Sequence, residues 1–220
     1  MKTTMIVTAL LAGVFALAAT AYKVKFDWKP VKGSKAEYTT TNSHEGDFGG
    51  GVVEMIVTWD STITVDKVDG KKVWLDVVND EPTVEVDGGP ANGVHVRIDD
   101  QVVELGLDGK FYGDGGDSHG ETLGLYSGFQ FPKNALIKGG SYEIGGLKAK
   151  YAGTVKVKKW ETHKFTFEYH SGKSDGDLWS KGTIWFSTKD LTLVKRTVDL
   201  HNIDFGMGPT DVQSETVRTK

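Results

Sequence analysis

Six histidines and a dense set of carboxylates are the residues of this chain that could move protons or hold a metal ion. The histidines are His44, His95, His119, His163, His170 and His201, and none forms HxH, HExxH or another metal-ligand spacing. Two segments place carboxylates beside an imidazole: His44-Glu45-Gly46-Asp47 and Asp114-Gly115-Gly116-Asp117-Ser118-His119. That juxtaposition suits acid–base or metal chemistry, but the simpler reading is a pair of hydrophilic loops whose Asp and Gly residues serve turn geometry. Asp108, Asp114 and Asp117 would offer oxygen ligands, better for Ca²⁺ than for zinc, yet their spacing matches neither an EF-hand loop nor a Gly-Asp nonapeptide repeat. Gly124-Leu125-Tyr126-Ser127-Gly128 misses GxSxG by one residue and lacks the strand–turn–helix setting of a nucleophile elbow. No GxxxxGK[ST] is present, and nothing singles out a carboxylate pair for glycoside cleavage. The sequence therefore points away from an enzyme: no catalytic residue, metal or cofactor is assigned, and a hydrolase built on the His/Asp loops is the least favoured reading.

Whatever these side chains do, strands and turns must position them. Ile63 and Val65 alternate with Thr62, Thr64 and Asp66; Asp69-Gly70 marks a tight turn; Val73, Leu75 and Val77 answer on the returning strand. A second hairpin has Val155 and Val157, a turn near Glu161-Thr162, then Phe165, Phe167 and Tyr169. A third joins Val102–Leu107 to Lys110–Tyr112 through Asp108-Gly109, and a fourth joins Thr183–Phe186 to Leu191–Leu200 through Lys189-Asp190. His95 and His163 fall on polar or turn positions of such hairpins and are expected to be solvated. Further strand-like stretches are Ala36–Thr41, Val52–Thr58, Val94–Ile98, Ser141–Ile144 and Val212–Arg218. One helix candidate of at most two turns begins at Ser118, where Ser118-His119-Gly120-Glu121 fits a capping box.

Alternation in so many segments means one buried and one wet face. The expected fold is all-β: a curved antiparallel sheet, half-barrel or open barrel, of roughly ten strands with one or two short helices at most. Thr62–Val78 aligns without gaps on Thr154–His170; if that repeat is real, the chain holds two similar halves, 34–112 and 129–218.

The N-terminus adds an address. Lys2 precedes the apolar run Met5–Ala19, and Ala19-Thr20-Ala21 supplies the small residues a signal peptidase reads. The run is short against the about 20 residues of a membrane span, so 1–21 is expected to be a cleavable signal peptide and 22–220 a single β domain that does not span the membrane when mature. The chain has no cysteine, which excludes disulfides, thiolate sites and lipidation at a leader cysteine. A periplasmic or secreted protein, not lipid-anchored, is expected. Its 30 acidic and 26 basic residues are interspersed, with no basic stripe, so nucleic acid is not an expected partner.

Six tryptophans stand out, and Trp74 and Trp185 lie out of phase with their apolar neighbours. On the outer face they could meet sugar, lipid or protein; more commonly such residues pack against a neighbouring strand or loop.

The paired hairpins, the Phe131–Ile144 segment (FPKNALIKGGSYEI) and the late strand pair Gly182–Leu200 (GTIWFSTKDLTLVKRTVDL), with Asp190 in its turn, complete a pattern. The chain resembles bacterial exported proteins whose sheet is similar to the half-barrel of Lol-type lipoprotein carriers. It lacks the long amphipathic helices that close the mouth of the carrier cavity. The resemblance implies an extracytoplasmic sheet wrapping a hydrophobic groove. The expected ligand face is then Ile63, Val65, Val73, Leu75, Val77, Val155, Val157, Phe165, Phe167 and Tyr169, taking an apolar, acyl-like small molecule. The alternative is a structural or interaction module in which the same residues close a core and a protein partner binds elsewhere.

Overall fold

The computed structural model describes residues 22–47, 51–91, 94–110, 112, 129–170, 179–204 and 209–220. The described residues form twelve strands and no helix: β1 (Lys35–Asp47), β2 (Val52–Asp69), β3 (Lys72–Asn79), β4 (Thr83–Val86), β5 (Gly89–Pro90), β6 (Gln101–Gly106), β7 (Ser141–Ile144), β8 (Leu147–Val157), β9 (Trp160–His170), β10 (Trp179–Ser187), β11 (Leu193–Asp204) and β12 (Pro209–Arg218). They make one antiparallel sheet, ordered β5-β4-β2-β1-β12-β11-β10-β9-β8-β7, that does not close on itself. The sheet forks at β2, whose first half pairs with β4 and whose second half pairs with β3, which in turn carries β6. β1 and β12 pair along Tyr38↔Arg218 to Ser43↔Gln213, so sequence-distant strands meet at the middle of the sheet.

The alternation of the sequence places the core. Ala36, Tyr38 and Thr40 of β1, Trp59, Ile63 and Val65 of β2, and Ser214 and Thr216 of β12 are buried, with half-buried or exposed residues between them. Val73, Leu75 and Val77 do the same in β3, and Phe165 and Phe167 in β9. A flat sheet would hold β6 and β8 about 40 Å apart at the usual strand spacing of about 4.8 Å. Yet Leu105 of β6 and Leu147 of β8 belong to one packed cluster. The sheet must therefore curl, with this face concave.

Turn chemistry follows the sequence at three of the four hairpins. Gly70 (φ 59°) turns β2 into β3. Gly109 (φ 83°) reverses the chain after β6, where Gly106 N–H donates to Lys110 O and Asp108 Oδ1 accepts from Lys110 N–H at 3.1 Å. Lys189-Asp190 lies between β10 and β11, with Thr192 N–H donating to Asp190 Oδ1 at 3.1 Å. The second hairpin differs: it turns at Lys158-Lys159, with Val157 paired to Trp160, so Glu161 and Thr162 already lie in β9. The gapless alignment of Thr62–Val78 on Thr154–His170 thus sets a turn glycine against a strand residue. Val94–Ile98 is not a strand, and Thr83–Val86, not anticipated, is one. The helix candidate at Ser118 lies outside the described residues.

Candidate functional site

The concave face gathers most of the residues assigned to it from sequence. Ile63, Val65, Val73, Leu75, Val77, Phe165 and Phe167 are buried in one cluster, and Tyr169 is half-buried against it. Val155 and Val157 are not there: Val155 is 37% exposed and Val157 half-buried outside the cluster. A bulge between Tyr151 and Gly153, the latter at φ 104°, explains the departure. One extra residue inverts the alternation, so Leu147, Ala149 and Tyr151 face inward and Val155 and Val157 do not.

What covers the face is the chain's own aromatic residues, which the sequence patterns did not assign. Phe26 sits edge-on to Phe165 (5.0 Å between centroids), Tyr151 (5.2 Å) and His163 (5.1 Å). Phe129 meets Phe165 at 5.3 Å, Phe167 at 6.0 Å and Phe186 at 5.1 Å, and Phe131 meets Phe186 at 4.8 Å. The available signal was period-two alternation outside the strands, in Phe26-Asp27-Trp28 and Phe129-Gln130-Phe131.

Among the described residues, packing is incomplete beside Trp28. A partly open cavity of about 110 Å³ is lined by Trp28, Tyr38, Ile63, Val65 and Leu75, together with the charged residues Lys35, Asp190 and Arg218. An apolar cavity of about 150 Å³ suffices for benzene, whereas drug-sized ligands occupy about 300–1,000 Å³. The space admits a small apolar group or the end of a chain.

Beside and beyond this cavity the concave face turns polar. Arg196 is fully buried on β11, its Nη2 donating to Ser214 Oγ at 2.8 Å and Thr216 Oγ1 at 3.2 Å. Burial pushes its pKa down to about 9, so it remains charged at neutral pH. Thr40 and Thr216 share a hydrogen bond at 3.1 Å, and Tyr38 Oη donates to Leu193 O at 3.0 Å. Burial tends to raise the pKa of Asp190; hydrogen bonds from Thr192 and Ser187, with Arg218's charge, bring it below the ordinary value.

Several chemical candidates move. His163 is buried, not solvated: its Nδ1 hydrogen-bonds Tyr151 Oη at 3.0 Å, and burial lowers its pKa. His95 is exposed. His44-Glu45-Gly46-Asp47 belongs to β1 and is not a loop; His44 is buried on the core side, with its pKa lowered by burial. Asp108 serves its turn, while Asp114–His119 lies outside the described residues. Among the described residues no three His, Asp or Glu side chains are placed to hold a metal ion. Trp74 and Trp185 face outward, as their phase requires, but lysines cover them. Lys67 lies 4.6 Å from the Trp74 ring, and Lys164 and Lys195 flank Trp185 at 5.4 and 5.8 Å.

Among the described residues, no helix is long and apolar enough to cross a membrane. No protein-family model and no curated protein matches the chain. Among solved structures, the chain is similar to lipovitellin, in a structure concerned with its lipid–protein interactions. The TM-score is 0.49 and the identity 9%, over 87% of this chain and 26% of that one. The chain thus spans about a quarter of that protein's length, and a likeness at this level carries no functional weight.

Proposed function

We propose that this chain is a non-enzymatic, extracytoplasmic β protein that binds an apolar, acyl-like ligand on the concave face of its sheet. In this reading Met1–Ala21 is a cleaved leader, and the mature protein is released to the periplasm or the exterior, as the resemblance to the half-barrel of Lol-type carriers implies. The observation that carries the reading is the cavity bordered by Trp28. Three of the residues assigned to ligand contact from sequence, Ile63, Val65 and Leu75, line a space the chain itself leaves unfilled. Native mass spectrometry of protein purified from an exporting host tests it. The expected spectrum shows a bound lipid or fatty acid lost on denaturation. An unliganded mass, together with no binding of an environment-sensitive dye, would contradict it.

A second reading rests on a different observation. Phe26, Phe129 and Phe131 already fill much of the concave face, as a closed structural core would require. The protein would then work as an interaction module whose partner meets another surface. A clean unliganded spectrum, with crosslinking that recovers one defined partner from the periplasm, would favour this reading.

A further inference from the structure

The segment Tyr22–Ser34 crosses the concave face without joining the sheet as a strand. Near one end, Val24 and Leu136 form an isolated antiparallel bridge, exchanging two backbone hydrogen bonds of 2.8 Å each. Near the other, Gly33 N–H donates to Val65 O at 2.8 Å, and a φ of 80° at Gly33, in the region that favours glycine, turns the chain into β1. Between these points the side chains alternate. Phe26 and Trp28 are buried; Lys25, Asp27 and Lys29 are exposed. The two buried rings lie where the proposed ligand would lie: Phe26 against Phe165, and Trp28 in the wall of the cavity that Ile63, Val65 and Leu75 also line. The backbone of the segment is held by few sheet bonds, so its anchorage rests mainly on the burial of Phe26 and Trp28, which a ligand must replace. The cavity is too small for an acyl chain while Trp28 stays in place.

We propose that the strap Tyr22–Lys32 is a built-in occupant of the groove, displaced by an anionic single-chain amphiphile. This rests on the proposed ligand binding by the concave face. The strap peels from Leu136 and pivots at Gly33. The chain of the amphiphile then takes the place of Trp28 against Ile63, Val65 and Leu75. Its anionic head lies near the charged lining residues Lys35 and Arg218, with Asp190 in the same lining. Lys35 and Arg218 belong to β1 and β12, so both stay with the sheet when the strap leaves. The ligand drives this opening only to the extent that it binds the open form more tightly than the closed one.

A disulfide lock tests the displacement. The chain has no cysteine, so Val24→Cys with Leu136→Cys makes a unique pair. Hydrogen-bonded antiparallel pairs have Cα atoms about 5.5 Å apart, within the disulfide range of about 4.4–6.8 Å. Dodecanoate is the probe, with dodecanol as its neutral counterpart, and binding is measured by calorimetry on the full chain. The reduced double variant is expected to bind dodecanoate at least tenfold more tightly than the oxidised form. Trp28→Ala is expected to bind it at least tenfold more tightly than the unmodified protein, and dodecanol is expected to bind at least tenfold more weakly than dodecanoate. Hydrogen exchange gives a readout on the unmodified protein: amides of 22–32 should exchange faster when dodecanoate is bound. Equal affinity of locked and unlocked forms, or binding with unchanged strap exchange, overturns the displacement and leaves the binding reading standing. Equal affinity for dodecanol overturns the anionic class. Failure of every form, Trp28→Ala included, to bind dodecanoate overturns both the strap proposal and the binding reading beneath it.

Discussion

Truncating Phe165 tests whether the aromatic cluster is the structural centre of the concave face. Its side chain is fully buried and meets the rings of Phe26, Phe129 and Tyr151 at 5.0, 5.3 and 5.2 Å, with Phe186 at 6.3 Å. Phe→Ala in a core costs about 3–5 kcal/mol. Each edge-on ring pair adds about 0.5–1.5 kcal/mol beyond area burial, so Phe165→Ala belongs near the upper end of that range. Against a total stability of about 5–15 kcal/mol, such a loss leaves a marginal fold. With a urea m-value of about 2.5 kcal/mol/M, the unfolding midpoint falls by about 1.5–2 M. The control is Val155→Ala on the neighbouring strand, which the simple alternation of the sequence would rank as an equal core position. The bulge leaves Val155 exposed, and its truncation should cost less than about 0.5 kcal/mol. Adding Phe26→Ala completes a double-mutant cycle with an expected coupling of about 0.5–1.5 kcal/mol. Urea unfolding followed by near-UV circular dichroism reads all of these. A loss below about 1 kcal/mol for Phe165→Ala, or a comparable loss for Val155→Ala, would refute the placement of this cluster.

Three further outcomes are expected from the same geometry. A Cβ at Gly182 would collide with Thr197 O and lie 2.9 Å from Val198 Cα, so Gly182→Ala should destabilise by about 2 kcal/mol or more in the same assay. Burial lowers the pKa of both His44 and His163, so the unfolded state takes up protons first as pH falls. Their stabilising contribution is complete above about pH 6.5 and declines as pH drops toward their lower folded values. His163→Phe keeps a ring beside Tyr151 but removes one titration, and should flatten the acid limb of a stability–pH curve; an unchanged slope contradicts the assignment. Ile63→Phe sends a ring toward the cavity and should abolish binding of an apolar probe with the sheet intact by far-UV circular dichroism; unchanged affinity would place the ligand elsewhere.

The strands were legible because period-two alternation and Asp-Gly turns are local. Asp69-Gly70 and Asp108-Gly109 turn where the sequence says, and Ser141–Ile144 has the same bounds in the structure. The bulge at Tyr151/Gly153 was not legible, because an inserted residue shifts phase without any mark beyond a single glycine. That shift misplaced Val155, Val157 and the turn before Trp160. Phe26, Trp28, Phe129 and Phe131 escaped for another reason. They lie outside regular strands, and only the curl of the sheet makes them part of its core. Burial of Arg196 and His163 was hidden in the same way, since the polar type of a residue says nothing about a partner brought across strands. Pairing of β1 with β12 depends on contacts across nearly the whole chain, which alternation within either strand does not encode.

Calorimetric titration of the full chain with dodecanoate is the decisive measurement for ligand binding. A site on the concave face predicts saturable binding at one site, a negative heat-capacity change from burial of apolar surface, and loss of the signal in Ile63→Phe. Absence of saturable heat across a range of temperatures from both the unmodified protein and Trp28→Ala, or an isotherm that Ile63→Phe leaves unchanged, would contradict ligand binding on the concave face.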